Sequence, residues 1–291
     1  MTWPFGEYPP EGSERLGPHV IAVYGESMPL SNSAVVTGSD GTLAFDANAL
    51  AWARRQRAIA EDQPVPLTHL VLSHHHDDHT LGASLFSPPA IVRARGDTRE
   101  RLARRAREGL DAEAYAEWGP TAVDEVRDLR TVVPDEIVEA PETLDLGGGV
   151  RVHLSPYPIA HTRGDLWALV EPDGVALCGD LWFNACEPYI EASAAGSRDA
   201  VAELRASEAR LYLPGHGRAG VVVAAGRDPV ERYCGWLVEQ ALVLVELEGA
   251  ALAAEVRRRY EEREPFFPFA MPGFLEGSVR AAERDRGAGR T

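Results

Sequence analysis

The stretch Leu67-Thr68-His69-Leu70-Val71-Leu72-Ser73-His74-His75-His76-Asp77-Asp78-His79 decides how this chain is read. Up to Leu72 it alternates and then turns apolar, the pattern of a buried strand ending at Ser73. The residues that follow crowd His74, His76, Asp78 and His79 into one loop, and Thr80-Leu81-Gly82-Ala83 then opens a helix. Open α/β sheets hold their reactive groups in loops at the carboxyl ends of strands. Imidazole nitrogens and a carboxylate oxygen suit Zn²⁺, Fe²⁺ or Mn²⁺. Buried together without a cation, such groups waste desolvation and repel one another. The run therefore reads as a metal-binding loop.

Three later segments repeat the logic of an apolar strand, a Gly or Thr turn and one ligand. They are Pro158-Ile159-Ala160-His161-Thr162-Arg163-Gly164-Asp165, Ala176-Leu177-Cys178-Gly179-Asp180-Leu181 and Leu211-Tyr212-Leu213-Pro214-Gly215-His216-Gly217. Each is weak by itself, because Asp and its neighbours favour turns anyway.

Between these segments the pattern predicts strands over 19–25, 33–37 and 42–45. Asp46-Ala47-Asn48 is expected to cap a helix over 49–61. A strand over 90–94 precedes an Arg-rich helical stretch, 93–107, and helical patterning continues to about 129. The period returns towards two from 136 to 177, with a Gly147-Gly148-Gly149 turn and a Glu171-Pro172-Asp173-Gly174 hairpin signal. A helix over 198–207, a strand over 210–213 and helical patterning from 229 to 263 complete the pattern. The Phe- and Pro-rich tail from 264 is expected to fold back over the body. Strands and helices in this order predict an α/β (α+β) fold, a four-layer αββα sandwich. The catalytic domain would span 1–225 with a helical insert over 97–130, and a C-terminal helical extension would cover 226–291.

With His-x-His-x-Asp-His at 74–79, His161-Thr162, Asp180 and Pro214-Gly215-His216-Gly217 in order, residues 19–220 resemble the metallo-β-lactamase superfamily. The resemblance implies the αββα sandwich with two metals, Zn²⁺ (Fe or Mn as variants), at one edge between the sheets. By position, His74, His76 and His161 would hold the first metal. Asp78, His79 and His216 would hold the second, and Asp180 would bridge both. Asp78 would also orient or shuttle a proton. Asp46 resembles the family's non-ligating Asp beneath the metals. His75 and Asp77 lie between ligands, and His69 is read as outside the set.

The implied chemistry is hydrolysis of an ester, thioester, lactone or related bond by a bridging hydroxide. Subfamily patterns narrow the substrate in part. β-Lactamases with two zincs lack a bridging Asp. Glyoxalase II enzymes hold glutathione with basic residues, commonly Lys, and this chain contains none. Lactonases place a Tyr where Phe183 stands. Two redox readings belong to the same superfamily. Diiron flavoproteins need a Glu in the first cluster, whereas a mononuclear iron sulfur dioxygenase stays open, as does a cyclase or decarboxylase reusing the site. Trp182, Phe183 and Tyr189 are expected to overhang the metals and favour an apolar or aromatic acyl group. Arg163 and, comparably, Tyr157 are candidates to meet the substrate.

Composition excludes other classes. A formal charge of −16 opposes nucleic-acid binding, and without Lys there is no Schiff base or phosphate-binding loop. The net positive charge of a two-metal centre would still draw a small, anionic substrate. The Arg-rich helix reads as a solvated face, with an anion-attracting pocket rim as the alternative. Cys178, Cys186 and Cys234 show no pairing or metal spacing. The N-terminus lacks the pattern of a signal peptide, and no apolar run is long enough to span a bilayer. The expectation is a cytoplasmic protein free of membrane and nucleic acid; homo-oligomerisation is left open.

Overall fold

The computed structural model describes residues 9, 12–25, 30–207, 209–271 and 273–290. Among these, two sheets form. The first runs β1 (Ser13–Arg15), β2 (Val20–Tyr24), β3 (Asn32–Thr37), β4 (Thr42–Phe45), β5 (Leu67–Val71), β6 (Ile91–Ala94) and β7 (Glu136–Ile137), neighbours in that order. It is antiparallel as far as β4 and parallel beyond it. The second contains β8 (Glu142–Asp145), β9 (Arg151–Pro156), β10 (Leu166–Glu171), β11 (Val175–Phe183) and β12 (Leu211–His216), in the spatial order β12-β11-β10-β9-β8. Here only β11 and β12 run parallel.

Period-two alternation assigns the layers. Ala34, Val36, Leu43 and Phe45 of the first sheet meet Leu154, Leu166, Ala168 and Leu177 of the second in one buried layer. Val35, Ala44, Leu70 and Val92 turn outward beneath helices α1 (Leu50–Glu61) and α3 (Gly96–Glu108), while α2 (Asp77–Thr80) carries part of the His-rich run. Helix α4 (Ala122–Arg127) closes the insert. The outward face of the second sheet, including Trp167, Ala176, Cys178 and Tyr212, is covered by α5 (Ala194–Ala206), α6 (Pro229–Val243), α7 (Gly249–Glu261) and α8 (Phe274–Gly287). The order helix, sheet, sheet, helix is the αββα sandwich. No described helix is long and apolar enough to cross a membrane.

Several sequence expectations need correction. Asp46-Ala47-Asn48 does not cap α1 in the expected way: the N-cap is Ala49, without a side-chain cap bond, and Asn48 Oδ1 accepts the Ala49 N–H at 3.0 Å. The helix expected over 198–207 starts a turn earlier, where Ser193 Oγ accepts the Gly196 N–H. Asp285 of α8, fully buried, accepts bonds from Ser193 Oγ (2.7 Å) and the Ala195 N–H (2.9 Å) at this same end. A carboxylate is favoured at a helix N-terminus. The helical stretch expected from 229 to 263 comprises two helices, α6 and α7. Arg286 of α8 donates to the carbonyls of Ala241, Leu244 and Leu247, ending α6 there. The tail itself forms α8, which packs on α5, α6 and α7.

Candidate metal centre

Asp46, Asn48 and Leu50 all adopt positive φ (55°, 52° and 52°), a costly sequence of conformations for residues with side chains. Buried polar bonds hold them. Asn48 Nδ2 donates to the Ser31 carbonyl and Ser33 Oγ, and Ser31 Oγ donates to Asn48 Oδ1. This turn places the Asp46 carboxylate under the His-rich loop, where it accepts from the Ser73 N–H (2.6 Å), Ser73 Oγ (2.8 Å) and His79 Nδ1 (2.8 Å).

The other histidines are anchored the same way. Since Ser73 Oγ donates to Asp46, it accepts from His74 Nδ1 at 2.9 Å. The Tyr189 carbonyl accepts from His161 Nδ1 (2.6 Å), and Glu191 Oε2 accepts from His76 Nε2 (3.0 Å). An oxygen acceptor on one ring nitrogen fixes the tautomer and turns the other nitrogen's lone pair inward. His74 Nε2 and His161 Nε2 consequently meet His76 Nδ1 at 3.0 and 2.9 Å with no proton to share. Three converging lone pairs repel unless a cation lies among them.

Asp180 links this group to a second. Its Oδ2 lies 3.2 Å from His161 Nε2, 3.8 Å from His74 Nε2 and 3.6 Å from His216 Nε2, and its Oδ1 lies 3.1 Å from His79 Nε2. Asp78 Oδ2 is 3.3 Å from His79 Nε2 and 3.2 Å from His216 Nε2. Ligand atoms of His74, His76, His161 and Asp180 fall within 4.8 Å of one another, as do those of Asp78, His79 and His216. His79 Nε2 and Asp180 Oδ1 are buried without a hydrogen-bond partner. Convergent donors and two orphaned polar atoms fit a metal centre, so these His and Asp groups are able to bind metal ions.

Electrostatics divides the centre. Burial pushes His74 well below the usual imidazole range and His161 down to about 3, so both are neutral donors. Burial alone would do the same to His79 and His216. Carboxylates override it: Asp78, Asp180 and Asp46 raise His79 well above its ordinary value, and Asp180 and Asp78 bring His216 to about 9. Burial raises Asp78 and Asp180 too, but neighbouring histidines pull both well below the carboxylate range. A cation entering the Asp78–His79–His216 group displaces those protons.

A further His75, His76 and Glu191 group also gathers, but it holds a cation of the chain's own. Arg101 Nη2 lies 3.1 Å from Glu191 Oε1, and its Nη1 lies 3.3 Å from His75 Nε2. The Arg-rich helix is thus more than a solvated face. Arg105 from the same helix pairs with Asp77 and donates to the His75 carbonyl at 2.8 Å. Tyr115 of the insert donates to the other oxygen of Asp77 (2.8 Å).

Gly179 and Gly215 make room for the shared carboxylate. Gly179 has φ 50° at an irregularity in the β11–β12 pairing, and a Cβ there would strike the Ser73 side chain. A Cβ on Gly215 would collide with Asp180 Oδ1. Gly215→Ala is therefore expected to displace Asp180, leaving circular dichroism unchanged while metal bound per chain falls below half its wild-type level. Full metal content in that variant would remove Asp180 from the centre.

His76, Asp78, His161, Asp180 and His216 line a pocket of about 490 Å³. Phe183 and Tyr189 line it as expected; Phe183 stacks on His216 with centroids 5.4 Å apart and planes within 6°. Trp182 does not line it. Adjacent strand residues point to opposite faces, and Trp182 is buried in the helical layer, donating from Nε1 to Asp228 Oδ2 at 3.1 Å. Arg163 is exposed on the outside of its turn, and Tyr157 is buried away from the pocket. His69 pairs with Arg93, apart from the centre. Sequence reasoning missed Glu191, Arg101, Arg105, Tyr115, Trp118, Met271 and Phe274. None carries a local motif, and only the aromatic content of the insert and tail hinted at Trp118 and Phe274.

Comparison with known proteins agrees with this fold. A search of curated proteins returns no match. Among solved structures, the metallo-beta-lactamase family protein TTHA1429 from Thermus thermophilus superposes with a TM-score of 0.67 at 18% identity, over 94% of this chain and 95% of the other. The stereoselective inverting sec-alkylsulfatase Pisa1 from Pseudomonas sp. gives 0.65 at 18% identity over 94% of this chain, which spans 50% of the sulfatase. A metallo-beta-lactamase from Pontibacter korlensis gives 0.53 at 15% identity over 72% of this chain and 92% of its own. At such identities the likeness is one of fold. The sequence profile of the Metallo-beta-lactamase superfamily matches residues 30–216. The chain belongs to the metallo-beta-lactamase superfamily.

Proposed function

We propose that the chain is a hydrolase that holds two divalent cations, zinc in the resting enzyme, and cleaves an ester, thioester, lactone or related bond in a small molecule. The observation that carries this reading is the one carboxylate, Asp180, lying within 4 Å of histidines from both ligand groups at the floor of a pocket. His74, His76 and His161 would hold one cation, Asp78, His79 and His216 the other, and Asp180 both. A bound pair supplies a water deprotonated near neutral pH and an electrophile for the scissile group.

The chain's own residues set the rest. Asp46, Ser73, Glu191 and the Tyr189 carbonyl fix which imidazole nitrogen faces inward. Asp78 lines the pocket beside the ligands, so its carboxylate is placed to orient or relay a proton. Phe183 and Tyr189 limit water on the pocket wall. The reading carries a cytoplasmic location, in keeping with three buried free thiols, and a small-molecule partner rather than nucleic acid or membrane.

The test is elemental analysis of protein purified without added metal, followed by a panel of esters, thioesters, lactones, phosphodiesters and, given the likeness to an alkylsulfatase, sulfate esters. Two zinc per chain and turnover of a panel member are expected. One iron per chain would replace the hydrolase by oxygen-dependent sulfur chemistry, and no metal uptake on titration would overturn the ligand assignment.

A further inference from the structure

We propose that the pocket selects a substrate whose charge is confined to the atoms at the metal centre and whose remaining part is an uncharged aryl or alkyl group. This rests on the hydrolase reading for the reacting end and on the pocket wall for the rest.

Beyond the ligand-bearing residues, the wall is built by Trp118, Phe183, Tyr189, Met271 and Phe274. They come from three separate parts of the chain: the helical insert, the segment from the end of β11 and the C-terminal tail. Phe183 is buried at the floor; Trp118, Tyr189, Met271 and Phe274 are half-buried around it. Tyr189 and Phe274 face each other with centroids 5.5 Å apart, and Trp118 is braced edge-on by Tyr115 at 4.9 Å. Gly277 of α8 lies flush against the Tyr189 ring, where a Cβ would strike it, so the tail helix sets how far that ring enters the pocket. A volume of about 490 Å³ suits a ligand of ordinary small-molecule size.

The charges argue the same way. Among the described residues no Arg lines the pocket, and the chain has no Lys. Two guanidinium groups of the neighbouring helix are engaged: Arg101 with Asp97 and Glu191, Arg105 with Asp77. Asp77, the lining carboxylate outside the ligand groups, is neutralised by Arg105 and bonded by Tyr115. An anionic group away from the metals would be stripped of water against aromatic rings with no counter-charge. A methylene placed there instead improves binding about fourfold.

Calorimetric titration of the metal-loaded protein with a homologous series, phenylacetate, 3-phenylpropanoate and 4-phenylbutanoate, tests this against glutarate and adipate, dicarboxylates of comparable length. Affinity is expected to rise about three- to fourfold per methylene, with each dicarboxylate at least ~30-fold weaker than its phenyl counterpart. Trp118→Ala and, separately, Phe274→Ala should flatten the slope below about twofold per methylene. Gly277→Ala, favourable for helix formation, should push Tyr189 inward and weaken the longest ligand most. Equal affinities along the series, or dicarboxylates binding as tightly as the phenyl acids, would overturn the proposal. A preserved slope without turnover on any ester would support the pocket assignment while ending the hydrolase reading; turnover with a flat slope would do the reverse.

Discussion

Asp180→Asn is expected to leave the protein with no more than one metal per chain and to lower kcat/KM by roughly three orders of magnitude or more, the scale on which losing charge stabilisation at a reacting centre is felt. The argument is geometric. The two carboxylate oxygens divide their work, Oδ1 towards His79 and Oδ2 towards His161, His74 and His216. An amide keeps the shape but replaces one acceptor by an NH₂ group, which has no lone pair to offer a cation. One ligand group then loses its anionic member, and the charge balancing two cations falls by one. Elemental analysis and steady-state kinetics on the variant check this together. Two metals retained per chain would show that Asp180 does not bridge.

Asp46→Ala is expected to destabilise the metal-free protein by about 3–5 kcal/mol and to weaken metal affinity about 10–100-fold at the group containing His79. Asp46 is fully buried and touches no ligand atom that faces inward. Removing it leaves the Ser73 N–H, the Ser73 hydroxyl and His79 Nδ1 without their acceptor, in a site closed to water. It also removes the side-chain bonds that tie the positive-φ turn from Asp46 to Leu50 to Ser73, leaving the backbone bond from the Asp46 N–H to the Val71 carbonyl. Burial raises the Asp46 carboxyl above its usual range, while His79 and Ser73 pull the other way. Urea unfolding in the presence of chelator measures the first effect and calorimetric metal titration the second. A metal-free stability within about 1 kcal/mol of wild type would sink this role for Asp46, because an emptied buried network costs more than that.

Particular residues show how far sequence reading reaches here. The groups brought together at the centre were legible because strands deliver them to one sheet edge. The His-rich run follows β5, His161 lies between β9 and β10, and His216 ends β12, whereas Asp180, expected at a strand end, sits within β11 at its irregular pairing. A buried strand followed by a turn delivers its last polar residue to the same sheet edge, whichever strand it is. Asp46 was legible for the same reason, although its turn was misread as a helix cap. Glu191 and Arg101 were not legible. Their meeting with His75 and His76 depends on α3 and the segment before α5 being packed against one edge from opposite sides of the molecule.

The helical boundaries divide along the same line. The start of α1 came within a residue of expectation, because its apolar spacing is local. The break between α6 and α7 did not, because Arg286, more than forty residues away, supplies the donors that end α6. Trp182 and Phe183 are equivalent by composition, yet one is core and the other pocket wall. Adjacent positions on a strand point to opposite faces, so one enters the helical layer and the other the pocket.

The sequence by itself thus determined the sandwich, the identity of the ligand-type residues and the superfamily, since strand alternation and strand-end ligands are short-range properties of the chain. The tertiary structure alone decided which imidazole nitrogen faces inward, which aromatics wall the pocket and where its charges are neutralised. Those depend on contacts between segments far apart in sequence, whose closure is set by the packing of the whole fold rather than by any local pattern.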